Sequence, residues 1–248
     1  MEKVKRFVEH VGEATLLLLQ TIIVSVKNPP RIRHILKYME EIGVTAAPLI
    51  AITGFFTGGV LVVQTYPTFH KFNAEFLIGA LVSLSLAREL SPVLVALLVT
   101  ARSGSAMAAN IGTMRITEQI DALQVMAVNP LRYLIAPRLI AALIMVPALT
   151  ILSYASGLLG GYFVGTNLYS INPYLFVEKM KDFTELTDIF GGLYKASVYA
   201  IVITTIACYF GYITKGGAEG VGRSTTTAVV VASVLILILD YFLTALIY

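Results

Sequence analysis

Four charged residues lie inside long apolar stretches of this sequence. Arg88 and Glu89 are adjacent, whereas Lys195 and Asp240 each stand alone in an otherwise uncharged run. A formal charge in the middle of a bilayer costs about 2.5–3.5 kcal/mol even on insertion scales, so such residues usually face a protein interior and a partner of opposite sign. We therefore predict an intramembrane charge network made of Arg88, Glu89, Lys195 and Asp240.

The chemistry that these residues suggest is charge pairing. At 1.5 Å rise per residue, Lys195 and Asp240 lie about 9 Å and about 12 Å from the same end of their runs, so the two can meet. The network either holds the helices together or acts as a switch that rearranges when a cavity opens, and both roles remain open. No group of His, Cys or carboxylate residues has catalytic or metal-ligand spacing, and no G-x-x-x-x-G-K-[ST] phosphate loop occurs.

The runs that carry these charges are long enough to cross a membrane as helices. Of the 248 residues, 57% are hydrophobic and 13% are charged, unlike the composition of a soluble domain. The runs are continuous and do not alternate every second residue, which predicts helices. The sequence therefore predicts an all-α polytopic membrane protein with about five transmembrane helices, at residues 42–64, 76–101, 139–165, 189–214 and 225–247.

The first 41 residues are predicted to form an N-terminal region of interfacial amphipathic helices, followed by a five-span domain at residues 42–248. Asn28-Pro29-Pro30 should end the first helix. Apolar and charged residues recur at helical spacing on opposite faces of that helix, which is typical of a helix lying in the membrane interface. The apolar set is Val4, Phe7, Val8, Val11 and Leu18, and the charged set is Lys3, Lys5, Arg6, Glu9 and Glu13.

The distribution of Lys and Arg predicts the orientation of the spans. The segments on one side, namely the N-terminal region and the loops at residues 102–138 and 215–223, hold 13 of these residues, and those on the other side hold three. The positive-inside rule puts the richer side in the cytoplasm. With five spans, the N-terminus is then cytoplasmic and the C-terminus lies on the outer face.

The loop at residues 102–138 contains a pattern of its own. Ile116, Ile120, Leu123 and Ala127 fall on one helical face, which predicts a single amphipathic helix over residues 113–127. Such a helix either rests on lipid headgroups or fits a groove on a partner protein. Its polar face carries both signs of charge, which favours a protein partner. The candidate contact residues are Arg115, Glu118, Gln119, Asp121, Leu123 and Gln124.

The outer end of the first span and the turn that follows it combine aromatic and polar residues. This mixture suits the binding of an amphiphile, although an aromatic belt at the membrane interface has the same composition. The candidate lipid-binding residues are Leu61, Gln64, Tyr66, Thr68, Phe69 and Phe72.

Glycine recurs at every fourth position in the third span, at Gly157, Gly161 and Gly165. This spacing favours close helix packing. The contact could lie within one chain or across a dimer, and the first alternative is preferred.

Residues 87–138, ARELSPVLVALLVTARSGSAMAANIGTMRITEQIDALQVMAVNPLRYLIAPR, resemble the signature of the MlaE (YrbE-like) permease family. The similarity continues through KASVYAIVITTIACYFGY and the stretch from Asp240 to Leu246. The resemblance implies the permease subunit of an ABC-type phospholipid transporter, a homodimer in the bacterial inner membrane. A cytoplasmic ATPase would dock on residues 113–127, an MCE-domain protein would sit on the outer face, and a STAS-domain subunit is a further partner.

The same resemblance implies that this chain is not an enzyme and carries no cofactor, because ATP and Mg²⁺ would bind to the partner ATPase. No nucleic-acid partner is expected. The alternative function is a stand-alone secondary transporter of an amphiphile that uses the intramembrane charges. Such transporters are usually built from paired repeats, and five spans do not divide evenly.

Overall fold

The computed structural model describes residues 2–27 and 29–248, with side chains for residues 9–25, 27 and 29–248. The described residues contain helices and turns but no strand, which confirms the all-α prediction. The α-helices are α1 (Glu2–Lys27), α2 (Ile32–Met39), α3 (Ala47–Lys71), α4 (Ile78–Ser85), α5 (Ser91–Val99), α6 (Ser105–Ile116), α7 (Gln119–Val125), α8 (Ala136–Asn167), α9 (Pro173–Phe183), α10 (Leu186–Tyr212) and α11 (Gly217–Ile247).

Short π-helical turns and one 3₁₀ turn join several of these helices end to end. A π turn carries one extra residue and is often found at functional positions in membrane and soluble helices. The π turns are Glu40–Val44, Leu86–Leu90, Thr100–Gly104 and Leu131–Ile135, and the 3₁₀ turn is Glu75–Leu77.

Five helical stretches of the described residues are long and apolar enough to cross a membrane, as predicted. They are span one (Ile32–Lys71), span two (Glu75–Ile116), span three (Leu131–Asn167), span four (Leu186–Tyr212) and span five (Gly217–Ile247). Spans one to three are longer than the apolar runs in the sequence. Charged residues such as Glu40 and Arg102 end an apolar run, but they do not end a helix whose backbone hydrogen bonds continue.

The N-terminal helix α1 ends at Lys27, and Asn28 of the predicted Asn28-Pro29-Pro30 break lies outside the described residues. The side chains of Lys3, Val4, Lys5, Arg6, Phe7 and Val8 also lie outside them. Within the described part of α1, Ala14, Leu17 and Thr21 are buried. The opposite surface exposes Leu16, Leu19, Ile22 and Ile23. The interfacial location of residues 1–41, and their separation as a domain, stay predictions.

By packing, the chain forms two compact units. Unit one contains the described residues up to Gly43, together with Val99–Met145 and Tyr199–Ile236. Its core joins α1, α6, α7 and α10 to the π turn that opens span three. The buried residues of this core are Ala14, Leu17, Ile111, Ile120, Leu134, Ile135, Cys208 and Tyr209.

Unit two contains Val44–Leu98, Val146–Val198 and Leu237–Tyr248. Its core is formed by Val62, Ile78, Val82, Leu86, Ile171 and Phe176. Within this unit the backbones of α3 and α8 touch. A Cβ atom added at Gly58 would overlap the carbonyl oxygen of Gly157, and one at Gly160 would overlap the carbonyl oxygen of Phe55. The close packing predicted from the glycine spacing therefore lies within one chain.

The connection between spans three and four contains helix α9. The side chain of Asn172 caps this helix by accepting hydrogen bonds from the amides of Tyr174 and Leu175, a favourable arrangement for the first turn. Phe176 is buried and packs against Gly79 of α4. Lys179 donates to the Asp182 carboxylate at 2.8 Å, and this hydrogen bond raises the pKa of the lysine.

Candidate functional site

Lys195 of α10 is fully buried in unit two, at the centre of a group of acceptors. Its Nζ atom lies 2.8 Å from Glu89 Oε2 and 3.3 Å from Asp240 Oδ1. It also donates to the hydroxyl of Thr244 at 2.7 Å. A buried ammonium group is tolerated only when opposite charge and hydrogen bonds replace its hydration. Lys195 has both, so three helical spans meet at one ion-paired lysine.

A fourth acceptor of Lys195 is the backbone carbonyl of Arg88, at 3.1 Å. In an α-helix this oxygen would accept from the amide four residues later, but residue 92 is proline and has no N–H group. Arg88 lies in the π turn Leu86–Leu90, where the amide of Ser91 bonds to the carbonyl of Leu86. The lysine thus donates to an oxygen that has lost its usual α-helical donor.

Arg88 pairs with a residue that was not among the predicted site residues, Asp188. The Nε atom of Arg88 donates to Asp188 Oδ1 at 2.8 Å, and the carboxylate of Asp188 is almost completely buried. The guanidinium group also lies 4.4 Å from the ring centre of Tyr248. In addition, Asp188 accepts from the amide of Glu185 at 3.0 Å, which fixes it at the start of α10.

The structure therefore brings all four predicted charges together with Asp188. We call Arg88, Glu89, Asp188, Lys195 and Asp240 the charge cluster. It contains two cations and three carboxylates, so its formal charge is negative. The Arg88, Glu89 and Asp240 side chains are partly exposed, whereas Lys195 is not. The cluster is consequently anchored by a buried lysine and offers polar groups of both signs at its accessible edge.

An apolar cavity of about 230 Å³ lies beside the π turn that carries Arg88 and Glu89. Ala87 and Ser91 flank those two residues in sequence, and both line the cavity. The hydroxyl of Ser91 is buried, and no partner for it exists among the described residues. The remaining lining comes from spans three and four, at Thr150, Ile151, Tyr154, Ile189, Gly192 and Leu193. One side of the turn thus carries charge and another faces apolar space.

The six residues predicted to bind lipid do not form one pocket in a single chain. Leu61, Tyr66 and Phe69 pack against the core of unit two. The ring of Tyr66 stacks on that of Tyr169, with ring centres 3.9 Å apart. The other three residues, Gln64, Thr68 and Phe72, are exposed. Their role in lipid binding stays a prediction.

The prediction of a single helix over residues 113–127 is wrong. Helix α6 ends at Ile116, Glu118 adopts a left-handed backbone with φ of 59°, and α7 covers only Gln119–Val125. An ion pair between Arg115 Nη1 and Asp121 Oδ1, at 2.5 Å, joins the two helices across the break. Arg115 and Asp121, two of the predicted contact residues, therefore form an ion pair with each other.

Helix α7 and the residues around it expose three of the predicted contact residues, together with apolar side chains that were not among them. Ile120 is buried and Leu123 packs against the core of unit one, whereas Glu118, Gln119 and Gln124 are exposed. Beyond them the chain exposes two apolar side chains, Val125 at 88% and Met126 at 64%. We call the segment from Val125 to Val128 the apolar tip. Large exposed apolar groups on a polar loop are typical of a protein-binding surface.

Among the described residues, no group of three or more His, Cys, Asp or Glu side chains is arranged to hold a metal ion.

The chain is similar to permeases over almost its whole length. Residues 35–246 match the family model described as permease MlaE. The chain is 40% identical over 247 residues to the intermembrane phospholipid transport system permease protein MlaE of Haemophilus influenzae, covering 98% of this chain and 93% of that protein. It is 42% identical to a probable ABC transporter permease protein of Rickettsia typhi, over 98% and 94% of the two chains.

A plant protein is also similar. The chloroplastic protein TRIGALACTOSYLDIACYLGLYCEROL 1 of Arabidopsis thaliana is 33% identical over 226 residues, which cover 91% of this chain and 65% of that protein. Together with five apolar spans, these similarities show that the chain is a multi-pass membrane protein that belongs to the MlaE permease family.

Proposed function

We propose that this chain is the membrane-spanning subunit of an ABC-type transporter that moves phospholipid between the bacterial inner membrane and an outer partner. The observation that carries the proposal is the 40% identity, along nearly the whole chain, with a permease of an intermembrane phospholipid transport system. Unit two supports it, because the charge cluster lies beside an apolar cavity. Such a combination suits an amphiphile with a polar head and apolar chains.

The apolar tip is the proposed docking surface for a separate cytoplasmic ATPase. The ion pair between Arg115 and Asp121 holds α7 against α6, so the tip projects from a braced element. A groove on the ATPase would cover Val125 and Met126, whose exposure is otherwise unfavourable in water. In this arrangement ATP and Mg²⁺ bind to the ATPase, and this chain contributes no cofactor ligand.

A homodimer is the second part of the proposal. Only 11% of the most apolar stretch of span five is buried, compared with 61% for span three. Span one likewise exposes Ile52, Phe56 and Val60, and Phe72 directly after it is also exposed. Since Gln64, Thr68 and Phe72 share an exposed surface, a second copy facing that surface would complete a lipid-binding cavity around them.

The orientation follows from the distribution of positive charge. The N-terminus and the apolar tip lie in the cytoplasm, and the C-terminus and α9 lie on the periplasmic side. An MCE-domain protein would contact that outer side, and a STAS-domain subunit would join the complex through the ATPase.

The docking surface can be tested by changing one exposed methionine. Met126→Asp places a charge in the proposed apolar contact, so we expect recovery of the ATPase in a pull-down to fall by at least about tenfold. Leu168→Asp is the matched control, because Leu168 is exposed to the same extent, 66% against 64%, and directly follows span three, whereas Met126 precedes it. Both variants are first compared by size-exclusion chromatography.

Equal ATPase recovery with both variants would show that the ATPase docks elsewhere. Transport of a labelled phospholipid by proteoliposomes that contain no ATPase and no ATP would instead favour the stand-alone secondary transporter, for which the charge cluster supplies titratable groups.

A further inference from the structure

A second cavity, of about 450 Å³, lies in unit one and is lined by basic side chains. Lys27 comes from the end of α1, Arg31 and His34 from the start of α2, and Arg132 from the π turn Leu131–Ile135. Four basic groups from three separate elements therefore face one space. The ring of His34 meets that of Tyr133 edge-on, with centres 5.0 Å apart, so part of the wall is preformed.

No carboxylate lines this cavity. Within the described part of the chain, Lys27, Arg31 and Arg132 form no ion pair; Arg132 makes only a long contact, 3.5 Å, with the carbonyl of Pro29. Cations that converge without a counter-charge repel each other, and the repulsion is relieved when an anion binds. The start of α2 adds to the positive potential, because no side chain caps it.

The position of the cavity along the chain indicates where the anion comes from. Span one begins at Ile32 and span three at Leu131, and the cavity is lined by residues around both starting points. These residues precede the apolar runs predicted at residues 42–64 and 139–165, so we expect them at the level of the lipid headgroups, where Lys and Arg meet phosphate and aromatic side chains are enriched. Tyr133 is such an aromatic residue, and Val128 and Pro137 add apolar wall.

We propose that this cavity binds the phosphate group of an anionic membrane phospholipid, with Lys27, Arg31 and Arg132 as the charged ligands and Tyr133 beside the glycerol region. An acidic segment of a protein would meet the same charges. The lipid is favoured because the cations lie where two spans begin, and because the wall combines positive charge with apolar surface. The site belongs to unit one and does not depend on the transported substrate.

The test uses the absence of tryptophan in this chain. Tyr133→Trp keeps an aromatic ring against His34 and introduces a single fluorescent reporter into the cavity wall. The protein is reconstituted into bilayers of phosphatidylcholine and phosphatidylglycerol, one of which carries brominated acyl chains that quench tryptophan. We expect the quenching to show a preference of at least about fivefold for phosphatidylglycerol, the effect of roughly one lysine or arginine near a membrane surface.

Adding Arg31→Gln and Arg132→Gln to the reporter protein should reduce the ratio of quenching by the two lipids nearly to one. The matched control, Arg33→Gln with Arg223→Gln, removes the same charge from exposed positions outside the cavity and should leave it unchanged. A third variant, Arg31→Lys with Arg132→Lys, retains the charge and should keep most of the preference for phosphatidylglycerol. This result would exclude loss of folding as the reason why the glutamine variant loses the preference.

Three results would overturn the proposal. Equal quenching by both lipids in the reporter protein would show that the cavity does not select an anionic lipid. Equal loss in the cavity variant and its control would show a general charge effect. Loss of the preference in millimolar inorganic phosphate would assign the cavity to a soluble anion. No ATPase and no transport enter the measurement, so its outcome is separate from that of the transport proposal.

Discussion

Two buried cations of this protein, Lys195 and Arg138, are stabilised in different ways. Lys195, in unit two, is surrounded by the carboxylates of Glu89 and Asp240 and by the hydroxyl of Thr244. Arg138, in unit one, is also buried, but it donates to the carbonyl of Leu134 at 2.8 Å and lies 4.5 Å from the ring centre of Tyr38.

No described carboxylate forms an ion pair with Arg138, and its Nε atom is buried with no partner among the described residues. This difference in ion pairing indicates what each cation does. The charge of Lys195 compensates two neighbouring carboxylates, so its removal leaves uncompensated charge. The direct contacts of Arg138 are a carbonyl and an aromatic ring, both of which are neutral and are left without uncompensated charge when the guanidinium group is removed.

The largest effect is expected from Lys195→Met, which keeps the volume and removes the charge. It removes the cation that compensates the carboxylates of Glu89 and Asp240 and should lower the free energy of unfolding by about 3–5 kcal/mol. Measurement is by SDS titration in mixed micelles. Adding Glu89→Gln should restore more stability than adding Asp240→Asn, since Glu89 is the nearer partner, at 2.8 Å against 3.3 Å. Equal restoration would mean that both carboxylates share the lysine evenly.

Arg138→Met should have a smaller effect, about 1–2 kcal/mol, because it removes a cation–π contact and a hydrogen bond but leaves no unpaired charge. The same SDS titration measures it beside Lys195→Met. If the two variants lost the same stability, Arg138 would have to be paired with a carboxylate, and the contrast between the two cations would disappear.

The smallest effects on stability are expected from changes to the uncharged partners of the two cations. Tyr38→Leu removes one of the two partners of Arg138, whereas Thr244→Val removes one of four acceptors of Lys195. We expect a loss of about 1 kcal/mol for Tyr38→Leu and about 0.5 kcal/mol for Thr244→Val, since hydrogen-bonded networks redistribute more easily when other acceptors remain. A larger loss for Thr244→Val would show that the hydroxyl, and not the carboxylates, fixes Lys195.

Composition and hydropathy were sufficient to predict the all-α fold and the five spans, because the length of an apolar run is set by bilayer thickness. The ends of the helices were less predictable. Span two continues from the apolar run through Arg102 to Ile116. A charged residue marks the end of the apolar run, but it does not interrupt the backbone hydrogen bonds of the helix. The proximity of Lys195 and Asp240 could also be predicted, because unpaired charges at similar depth attract each other.

Other parts of the site depend on local geometry that spacing does not reveal. Asp188 directly precedes the predicted span at residues 189–214, yet the start of α10 buries it against Arg88. The break at Glu118 could not be seen from the apolar spacing of Ile116, Ile120 and Leu123, which continues across it. Val125 and Met126 lie off the predicted apolar face of Ile116, Ile120, Leu123 and Ala127, and only the structure shows how far they are exposed.

The contact between α3 and α8 limits the routes that lipid can take. No Cβ atom fits at Gly58 or Gly160, so the gap between these backbones is narrower than a methyl group. An acyl chain is at least as wide as a methyl group along its whole length. The crossing of α3 and α8 is therefore a closed seam, and any lipid that moves through unit two has to move along its other helical surfaces.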